Sequence, residues 1–270
     1  MDLQLKGVRA LVTGSSSGIG AGIARVLAAE GAVVAIHGRD EERARSISEE
    51  VRAAGGSSVV ALGDLASEAG CARVADAVDA ALGGVDILVN NAGGKTAPGN
   101  PGWLDVGWAD WVGTYEMNVG AAVRLIHRFV PGMKARRFGR VIQIASAAGV
   151  QPEAGIGEYQ AAKAAMINLS VGLARSLAHT GITVNTVSPG TILTPAVERW
   201  LAHIAEQQRW GNDWKTIEQR FTTEMIPLCA DHIGRPEDIG RVVALLASPL
   251  SGYMTGANVR VDGGQCRSVN

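Results

Sequence analysis

The chain has 270 residues, of which 47% are hydrophobic and 19% are charged, and 25 basic against 26 acidic residues give a formal net charge of -1. This length suits a single α/β domain, and the apolar fraction is ample for a sizeable core. Because no strong field of either sign is implied, neither nucleic acid nor a membrane surface is an expected partner.

Short β-branched runs alternate with longer stretches at helical spacing along the chain. In chain order, the predicted strands are 8–13, 33–37, 58–62, 86–89, 140–145, 182–187 and 258–261. The predicted helices are 18–30, 40–54, 67–82, about 108–136, 157–178 and 236–247. This alternation predicts one α/β domain over 1–270, with a Rossmann-type, doubly wound parallel sheet of about seven strands and helices on both faces.

The segment 193–233 interrupts this alternation, because it carries two amphipathic stretches and no strand. The apolar residues of the first stretch share one face at helical spacing: Val197, Trp200, Leu201 and Ile204. Asp213 is placed to cap a second helix, whose apolar face carries Trp214, Ile217 and Phe221. We therefore predict a helical substrate lid over 193–233.

A glycine-rich turn joins the first predicted strand to the first helix and reads Thr13-Gly14-Ser15-Ser16-Ser17-Gly18-Ile19-Gly20. Glycines let the chain turn sharply and let backbone N–H groups approach a pyrophosphate. The helix start then directs its positive end at that anion. Ordinary strand–helix connections also contain glycines, but this spacing between a strand and a helix favours a dinucleotide site.

The end of the second predicted strand bears on which dinucleotide is bound. A carboxylate about 20 residues beyond the glycines binds the ribose 2′-hydroxyl of NAD, whereas a nearby Arg favours the 2′-phosphate of NADP. Gly38 stands where that carboxylate is expected, and Arg39 follows it. Since Arg39 can pair with a phosphate, the sequence favours NADP(H) over NAD(H). Two alternatives stay open: Arg39 is a surface residue while Asp40 caps the next helix, or Asp40 is itself the ribose ligand.

Polar clusters follow strands four and five, as Asn90-Asn91-Ala92-Gly93 and Ile144-Ala145-Ser146. Open α/β sheets bind their ligands at the carboxyl ends of the strands. Shortly after Ser146, Tyr159 and Lys163 lie four apart on a predicted helix and so share one face. A Tyr-x-x-x-Lys pair is common by chance, and alone it indicates little.

The constellation as a whole resembles the classical short-chain dehydrogenase/reductase family, over nearly the entire chain. The matching positions are Thr13–Gly20, Asp64-Leu65, Asn90–Gly93, Asn118, Ser146, Tyr159 with Lys163, Asn185, Ser188-Pro189-Gly190 with Thr194, and Val261-Asp262-Gly263-Gly264. Several clusters in the right order are far more specific than any one of them. The nearest-looking branch is the 3-oxoacyl-acyl-carrier-protein reductases.

The resemblance implies a role for each matching side chain. Tyr159 would be the general acid or base at the carbonyl oxygen, and Lys163 would lower the pKa of Tyr159 and hold the nicotinamide ribose. Ser146 would stabilise the developing charge, and Asn118 would position a water in a proton relay. The implied cofactor contacts are Gly14, Ser16, Ser17, Gly18, Ile19, Gly20, Arg39, Asp64, Leu65, Asn91, Ala92, Gly93, Tyr159, Lys163, Pro189, Gly190, Ile192 and Thr194.

The implied activity is NADP(H)-dependent transfer of a hydride between nicotinamide and a carbonyl or secondary alcohol. The alternatives are an NAD-dependent alcohol dehydrogenase, a 3-oxoacyl-carrier-protein reductase and a non-catalytic dinucleotide-binding sensor. For the carrier protein, Arg137 matches one basic position of that branch, but Thr180 stands where another Arg is often found.

The six tryptophans fall into two stretches: Trp103, Trp108 and Trp111, then Trp200, Trp210 and Trp214. One interpretation is a broad aromatic cleft for a bulky or cyclic ketone. The other is that Trp108 and Trp111 pack a subunit interface while the second group joins the two lid helices. The family resemblance also implies a homotetramer, built through 108–136, 157–178 and the C-terminal strand.

Targeting, disulfide and metal patterns are not found in the sequence. No basic segment followed by an apolar region opens the chain, and no apolar run approaches the ~18 residues of a membrane span. The three cysteines, Cys71, Cys229 and Cys266, are far apart. These features predict a cytoplasmic protein without disulfides. Because the five histidines lack metal-ligand spacing, no metal is expected.

Overall fold

Seven parallel strands form one sheet in the structure, a computed structural model that describes residues 1–97, 99 and 102–268. The strands are β1 (Arg9–Val12), β2 (Val33–Gly38), β3 (Ser57–Leu62), β4 (Ile87–Asn90), β5 (Gly139–Ile144), β6 (Ile182–Pro189) and β7 (Asn258–Val261). They lie in the order β3-β2-β1-β4-β5-β6-β7. This order confirms the predicted doubly wound α/β fold.

Helices cover both faces of this sheet. They are α1 (Gly18–Ala29), α2 (Glu41–Ala53), α3 (Glu68–Leu82), α4 (Trp108–Tyr115), α5 (Ala121–Arg136), α6 (Gly157–Ser176), α7 (Pro195–Gln207), α8 (Trp214–Arg220) and α9 (Pro236–Ala247). Helices α1, α2 and α9 pack on one apolar face, and α3, α5 and α6 on the other. Within the described residues, no helix combines the length and the apolar character that crossing a membrane requires.

The direction of winding reverses at β1, which pairs with β2 on one side and with β4 on the other. Connections that leave β1 and β4 therefore run to opposite faces and open a crevice at their carboxyl ends. The glycine-rich turn after β1 and the cluster Asn90–Gly93 after β4 both border this crevice. The fold thus places the two predicted ligand-binding motifs side by side.

The helical stretch predicted over 108–136 is present, but its hydrogen bonding changes locally and separates α4 from α5. A π-helical turn, Glu116–Gly120, lies between them. Inside this turn, the Asn118 side chain bonds to the backbone of Thr114 and of Gly94 in the loop after β4. Such turns frequently occur at functional sites. Apolar periodicity continues across the turn, so the sequence pattern could not reveal it.

The two helices predicted within 193–233 are present as α7 and α8. They enclose a small apolar cluster of their own, whose buried members are Leu201, Ala205, Ile217, Phe221 and Ile233. Asp213 caps α8 as predicted, since its Oδ2 accepts a hydrogen bond of 2.9 Å from Thr216 N. A short parallel bridge between Ile192 and Gly234 closes the base of this excursion. The excursion is anchored at both ends beside the crevice.

Candidate active site

The start of α1 opens onto a cleft of about 640 Å³. Ser17, its N-cap residue, makes no side-chain cap hydrogen bond, so the first N–H groups of the helix lack that partner. A Cβ added to Gly20 would overlap the Gly14 carbonyl and come within 2.6 Å of Asn91 Nδ2. Only glycine therefore lets the helix begin this close to the turn. An uncapped helix start with exposed backbone fits a dinucleotide pyrophosphate.

His37 supports the glycine-rich turn from within the sheet, a role that the sequence analysis did not assign. Gly14 N donates a 2.8 Å hydrogen bond to His37 Nδ1, which leaves the ring proton on Nε2, 3.1 Å from the Gly63 carbonyl oxygen. Burial lowers the pKa of His37 and keeps the ring neutral. The signal available in the sequence was a histidine inside an otherwise apolar strand.

The loop after β4 is fixed to the same turn through Thr13. The Thr13 hydroxyl oxygen accepts hydrogen bonds of 2.9 Å from both Asn91 N and Ala92 N. In return, Asn91 Nδ2 donates a 2.8 Å hydrogen bond to the Thr13 carbonyl. The two cofactor motifs recognised in the sequence are therefore parts of one rigid structure.

Tyr159, on α6, lines the cleft that the start of α1 borders. Burial raises the pKa of its phenol above the ordinary value, and a hydrogen bond from Ser146 offsets part of that rise. This direction is opposite to the lowered pKa that we expected, because burial outweighs the stabilisation of the phenolate. A phenol with a raised pKa stays protonated at neutral pH and can donate a proton.

Lys163 lies one helical turn beyond Tyr159 and is buried, with 4% of its surface exposed. Its Nζ donates a 2.9 Å hydrogen bond to the Ile144 carbonyl at the end of β5 and lies 5.5 Å from the centroid of the Tyr159 ring. Burial lowers the pKa of Lys163 to about 8. The ammonium and the phenol thus share one pocket, as the sequence spacing predicts.

Asn118 is buried between the π-helical turn and the loop after β4. Its Oδ1 accepts a 3.2 Å hydrogen bond from Gly94 N, and its Nδ2 donates to the Gly94 carbonyl at 2.6 Å and to the Thr114 carbonyl at 2.7 Å. A Cβ added to Gly93 would overlap Asn118 Oδ1 and lie 3.3 Å from Lys163 Nζ. Asn118 and Lys163 are therefore neighbours, and the proton relay through Asn118 stays a prediction.

A second cavity of about 260 Å³ continues from the turn toward the ends of β2 and β3. Gly38 and Arg39 line it, and a Cβ at Gly38 would come within 2.6 Å of Ser16 Oγ. A carboxylate side chain at position 38 would therefore crowd the turn. Asp40 caps α2 instead, since its Oδ1 accepts a 3.1 Å hydrogen bond from Arg43 N. This contact supports the capping interpretation of Asp40 over the ribose-ligand one.

The predicted site residues are placed as follows relative to the two cavities, and some of them line both. Those that line the larger cleft are Ser17, Gly18, Ile19, Gly20, Asn91, Gly93, Tyr159, Lys163 and Thr194. Those that line the smaller cavity are Gly14, Ser16, Ser17, Arg39, Asp64, Leu65, Asn91, Ala92 and Gly93. Those that line neither are Asn118, Ser146, Pro189, Gly190 and Ile192. Arg43 and Arg199 also line the larger cleft, and nothing in the sequence pattern singled them out.

Comparison with known proteins gives the family. A profile described as enoyl-(acyl carrier protein) reductase matches residues 14–265. The chain belongs to the short-chain dehydrogenase/reductase family. As a member of this family, it is an oxidoreductase that acts on CH–OH or carbonyl groups.

Relatives match this short-chain dehydrogenase/reductase over its whole length. The uncharacterized oxidoreductase YvaG of Bacillus subtilis is 39% identical over 272 residues and covers 100% of both chains. The 3-oxoacyl-[acyl-carrier-protein] reductase FabG of Escherichia coli is 36% identical, covering 97% of this chain and 98% of FabG. L-sorbose reductase from Gluconobacter frateurii, solved with NADPH and L-sorbose, has a TM-score of 0.92 and 34% identity, with 100% of both chains covered.

None of the six tryptophans lines the cleft of this short-chain dehydrogenase/reductase. Trp200 packs edge-on against Phe221, with ring centroids 5.8 Å apart, and Trp210 and Trp214 contact the apolar cluster of α7 and α8. Trp108 is 79% exposed on α4. These positions do not support the aromatic-cleft hypothesis. They support the alternative in which the second group of tryptophans joins the two helices.

The burial of Lys163 leads to a prediction about stability. We expect Lys163→Met to raise the free energy of unfolding by about 2 kcal/mol near neutral pH, because the apolar side chain removes a buried charge and loses one hydrogen bond. The folded-state pKa of about 8 lies below the ordinary 10.5, so the unfolded chain binds more protons between those values. Wild-type stability therefore rises with pH through that window, and the advantage of the variant shrinks.

Denaturant unfolding of wild type and Lys163→Met at neutral pH and above the window measures this difference. The wild type is the control at each pH, because the titration of every group common to both proteins cancels in the difference. If the two proteins differed equally in free energy of unfolding at both pH values, burial would not lower the pKa of Lys163 in the folded protein.

Proposed function

We propose that this protein is an NADP(H)-dependent ketoreductase, which transfers a hydride between nicotinamide and a carbonyl or secondary alcohol. One observation carries the proposal: Tyr159 and Lys163 line the same cleft as the uncapped start of α1. An acid–base pair and an anion-binding helix start then act on a single bound dinucleotide and its substrate.

When bound, the reduced nicotinamide supplies the hydride that adds to the carbonyl carbon. Tyr159 donates its phenolic proton to the carbonyl oxygen, and Ser146 donates a hydrogen bond to the same oxygen as negative charge develops there. Lys163 keeps a positive charge beside the phenolate that remains and holds the nicotinamide ribose. Because burial raises the pKa of Tyr159, the phenol is in its proton-donating form at neutral pH, which suits reduction.

The activity is tested by following NADPH consumption with a panel of sugar ketones, small diketones and bulky cyclic ketones. Substrate enters beside α7, where Thr194 and Arg199 line the cleft, and α7 and α8 serve as its lid. We expect turnover of at least one carbonyl. NADPH binding without turnover of any would favour the dinucleotide-binding sensor instead.

The choice of NADP(H) depends on Gly38 and Arg39. Both line the smaller cavity, and a side chain at position 38, such as the carboxylate that binds an unphosphorylated ribose, would have to displace the Ser16 side chain. The NADPH bound to the similar L-sorbose reductase supports this assignment.

We expect Arg39→Ala to lower kcat/KM for NADPH by roughly ten- to a hundredfold, because a charge-assisted pair with the 2′-phosphate is lost. The same variant should leave kcat/KM for NADH nearly unchanged, since NADH carries no such phosphate. Arg45→Ala is the matched control, because Arg45 pairs with Glu41 at 2.6 Å on α2 and lines neither cavity. An NADPH preference that survives the loss of Arg39 would refute this assignment.

A second candidate substrate is a 3-oxoacyl group delivered by an acidic carrier protein, favoured by the relationship to FabG. Arg137 is exposed, although its guanidinium donates a 3.3 Å hydrogen bond to the His179 carbonyl. An acyl-carrier substrate that is reduced far faster than the matching free thioester, with the difference lost in Arg137→Ala, would establish this candidate.

We also propose a cytoplasmic homotetramer that contacts other copies through α4, α5, α6 and β7. Trp108, Val112 and Tyr115 are 79%, 45% and 49% exposed on α4, and β7 ends the sheet on one side. An exposed apolar helix face and a free sheet edge are each typical of a surface that other subunits cover.

A further inference from the structure

The chain makes a tight turn after β7, over residues 262–267, here called the C-terminal turn. Asp262 shapes it, because its Oδ1 accepts a 3.1 Å hydrogen bond from Gly264 N and its Oδ2 a 3.0 Å bond from Cys266 N. Gly263 and Gly264 have φ angles of 61° and 79°, which residues other than glycine rarely adopt. The turn therefore has a defined shape, and nothing assigned so far uses it.

The side chain of Gln265 extends from this turn to the loop after β6. Its Oε1 accepts hydrogen bonds from Thr191 N at 2.9 Å and from Thr191 Oγ1 at 3.3 Å. Gly190, the residue before Thr191, is held as closely, since its N–H donates a 3.0 Å hydrogen bond to the Val261 carbonyl. A Cβ added to Gly190 would lie only 2.8 Å from Gln265 Oε1. The loop that follows β6 is thus clamped onto the C-terminal turn.

The same turn contacts two other segments of the chain. Cys266 Sγ lies 3.6 Å from the Ala147 carbonyl, in the short helix that follows Ser146. On the opposite side, the Gly263 carbonyl accepts bonds of 2.8 Å from Cys229 N and 3.0 Å from Ala230 N, in the segment that returns from α8. The C-terminal turn therefore joins the β6 loop, the Ser146 region and the base of the excursion.

We propose that Gln265 is a positioning residue that fixes Thr191, and with it the nicotinamide end of the cofactor, against the Tyr159 pocket. Thr191 lies at the carboxyl end of β6, three strands from β1 and its glycine-rich turn, where a dinucleotide bound at that turn would end. Three residues later, Thr194 lines the cleft with Tyr159. The inference rests on the proposed function, because it requires a nicotinamide dinucleotide in this cleft.

The clamp uses Gln265 only as an acceptor, which defines the matched variants. Gln265→Leu keeps the approximate size but removes Oε1, so Thr191 N and Thr191 Oγ1 lose their partner. Gln265→Glu retains an oxygen at the same place and can accept both bonds. If Gln265 acted only by filling space, the two variants would bind the cofactor alike.

The test measures the dissociation constants of two ligands for the wild type and both variants: NADPH, and 2′-phospho-ADP-ribose, which lacks the nicotinamide. We expect Gln265→Leu to weaken NADPH binding by roughly three- to tenfold and to leave 2′-phospho-ADP-ribose binding unchanged. Gln265→Glu should restore most of the NADPH affinity. The thermal midpoint of each variant shows whether it folds.

Three outcomes would overturn the inference: equal weakening of both ligands, equal effects of Leu and Glu, or no effect of Leu. A wild type that binds both ligands but reduces no carbonyl would defeat the proposed activity and leave the Gln265 result interpretable. A wild type that binds neither ligand would contradict both proposals.

Discussion

Tyr159→Phe is expected to lower kcat for ketone reduction by about 10²–10⁴-fold, the range that a positioned general acid contributes. Phenylalanine keeps the ring that Lys163 faces at 5.5 Å and removes only the hydroxyl. The variant therefore lacks the proton that the phenol would donate to the carbonyl oxygen. The Kd for NADPH should stay close to the wild-type value.

Ser146→Ala is the informative comparison for Tyr159→Phe. Because Ser146 offsets part of the burial effect, its removal should raise the pKa of Tyr159 further. Because Tyr159 still carries its proton in this variant, Ser146→Ala should lose reductase activity less severely than Tyr159→Phe. Any alcohol oxidation that it retains should need a higher pH, since the phenolate form is required as the base. Wild-type kcat in Tyr159→Phe would remove the phenol from the mechanism.

The second large effect is expected from Gly20→Ala, which should weaken NADPH binding by roughly ten- to a hundredfold. The new methyl group would overlap the Gly14 carbonyl and come within 2.6 Å of Asn91 Nδ2, so either the turn or the helix start must move. Overpacking of this kind costs on the order of 1–3 kcal/mol. The displaced groups are the backbone N–H groups that would hold the pyrophosphate, so the cost appears as weaker cofactor binding.

Gly172→Ala is the control for Gly20→Ala. Gly172 also lies inside a helix, α6, but a Cβ there would meet no atom within 4 Å. Alanine should keep the wild-type affinity for NADPH and stabilise the helix by up to about 1 kcal/mol. Calorimetric titration of both variants measures the contrast. Equal affinities in the two variants would show that the close approach at Gly20 is not needed for binding.

The sequence predicted the sheet and the motifs well because both follow local rules. Apolar runs define the strands, and the glycine-rich turn follows β1 directly. Tyr159 and Lys163 share a face of α6 through simple helical spacing. Even the cap at Asp213 was predictable, since an acidic residue before an amphipathic stretch satisfies the first N–H groups of a helix.

Other features depend on contacts between distant parts of the chain, and these escaped prediction. The π-helical turn at Asn118 accompanies a bond from that side chain to Gly94, which lies 24 positions earlier in the sequence. The raised pKa of Tyr159 arises from burial, which a sequence does not display. The bond from Gln265 to Thr191 spans 74 positions. The roles of the tryptophans were equally undecidable, because each amphipathic face could have turned toward the cleft or away from it.

The most direct test of the account is the structure of a ternary complex with NADP⁺ and an alcohol that the enzyme oxidises. We predict the nicotinamide between the loop after β6 and Tyr159, with Lys163 at its ribose. The substrate oxygen should lie about 3 Å from the Tyr159 phenol. A dinucleotide whose nicotinamide lies outside the Tyr159 pocket would contradict the proposed chemistry.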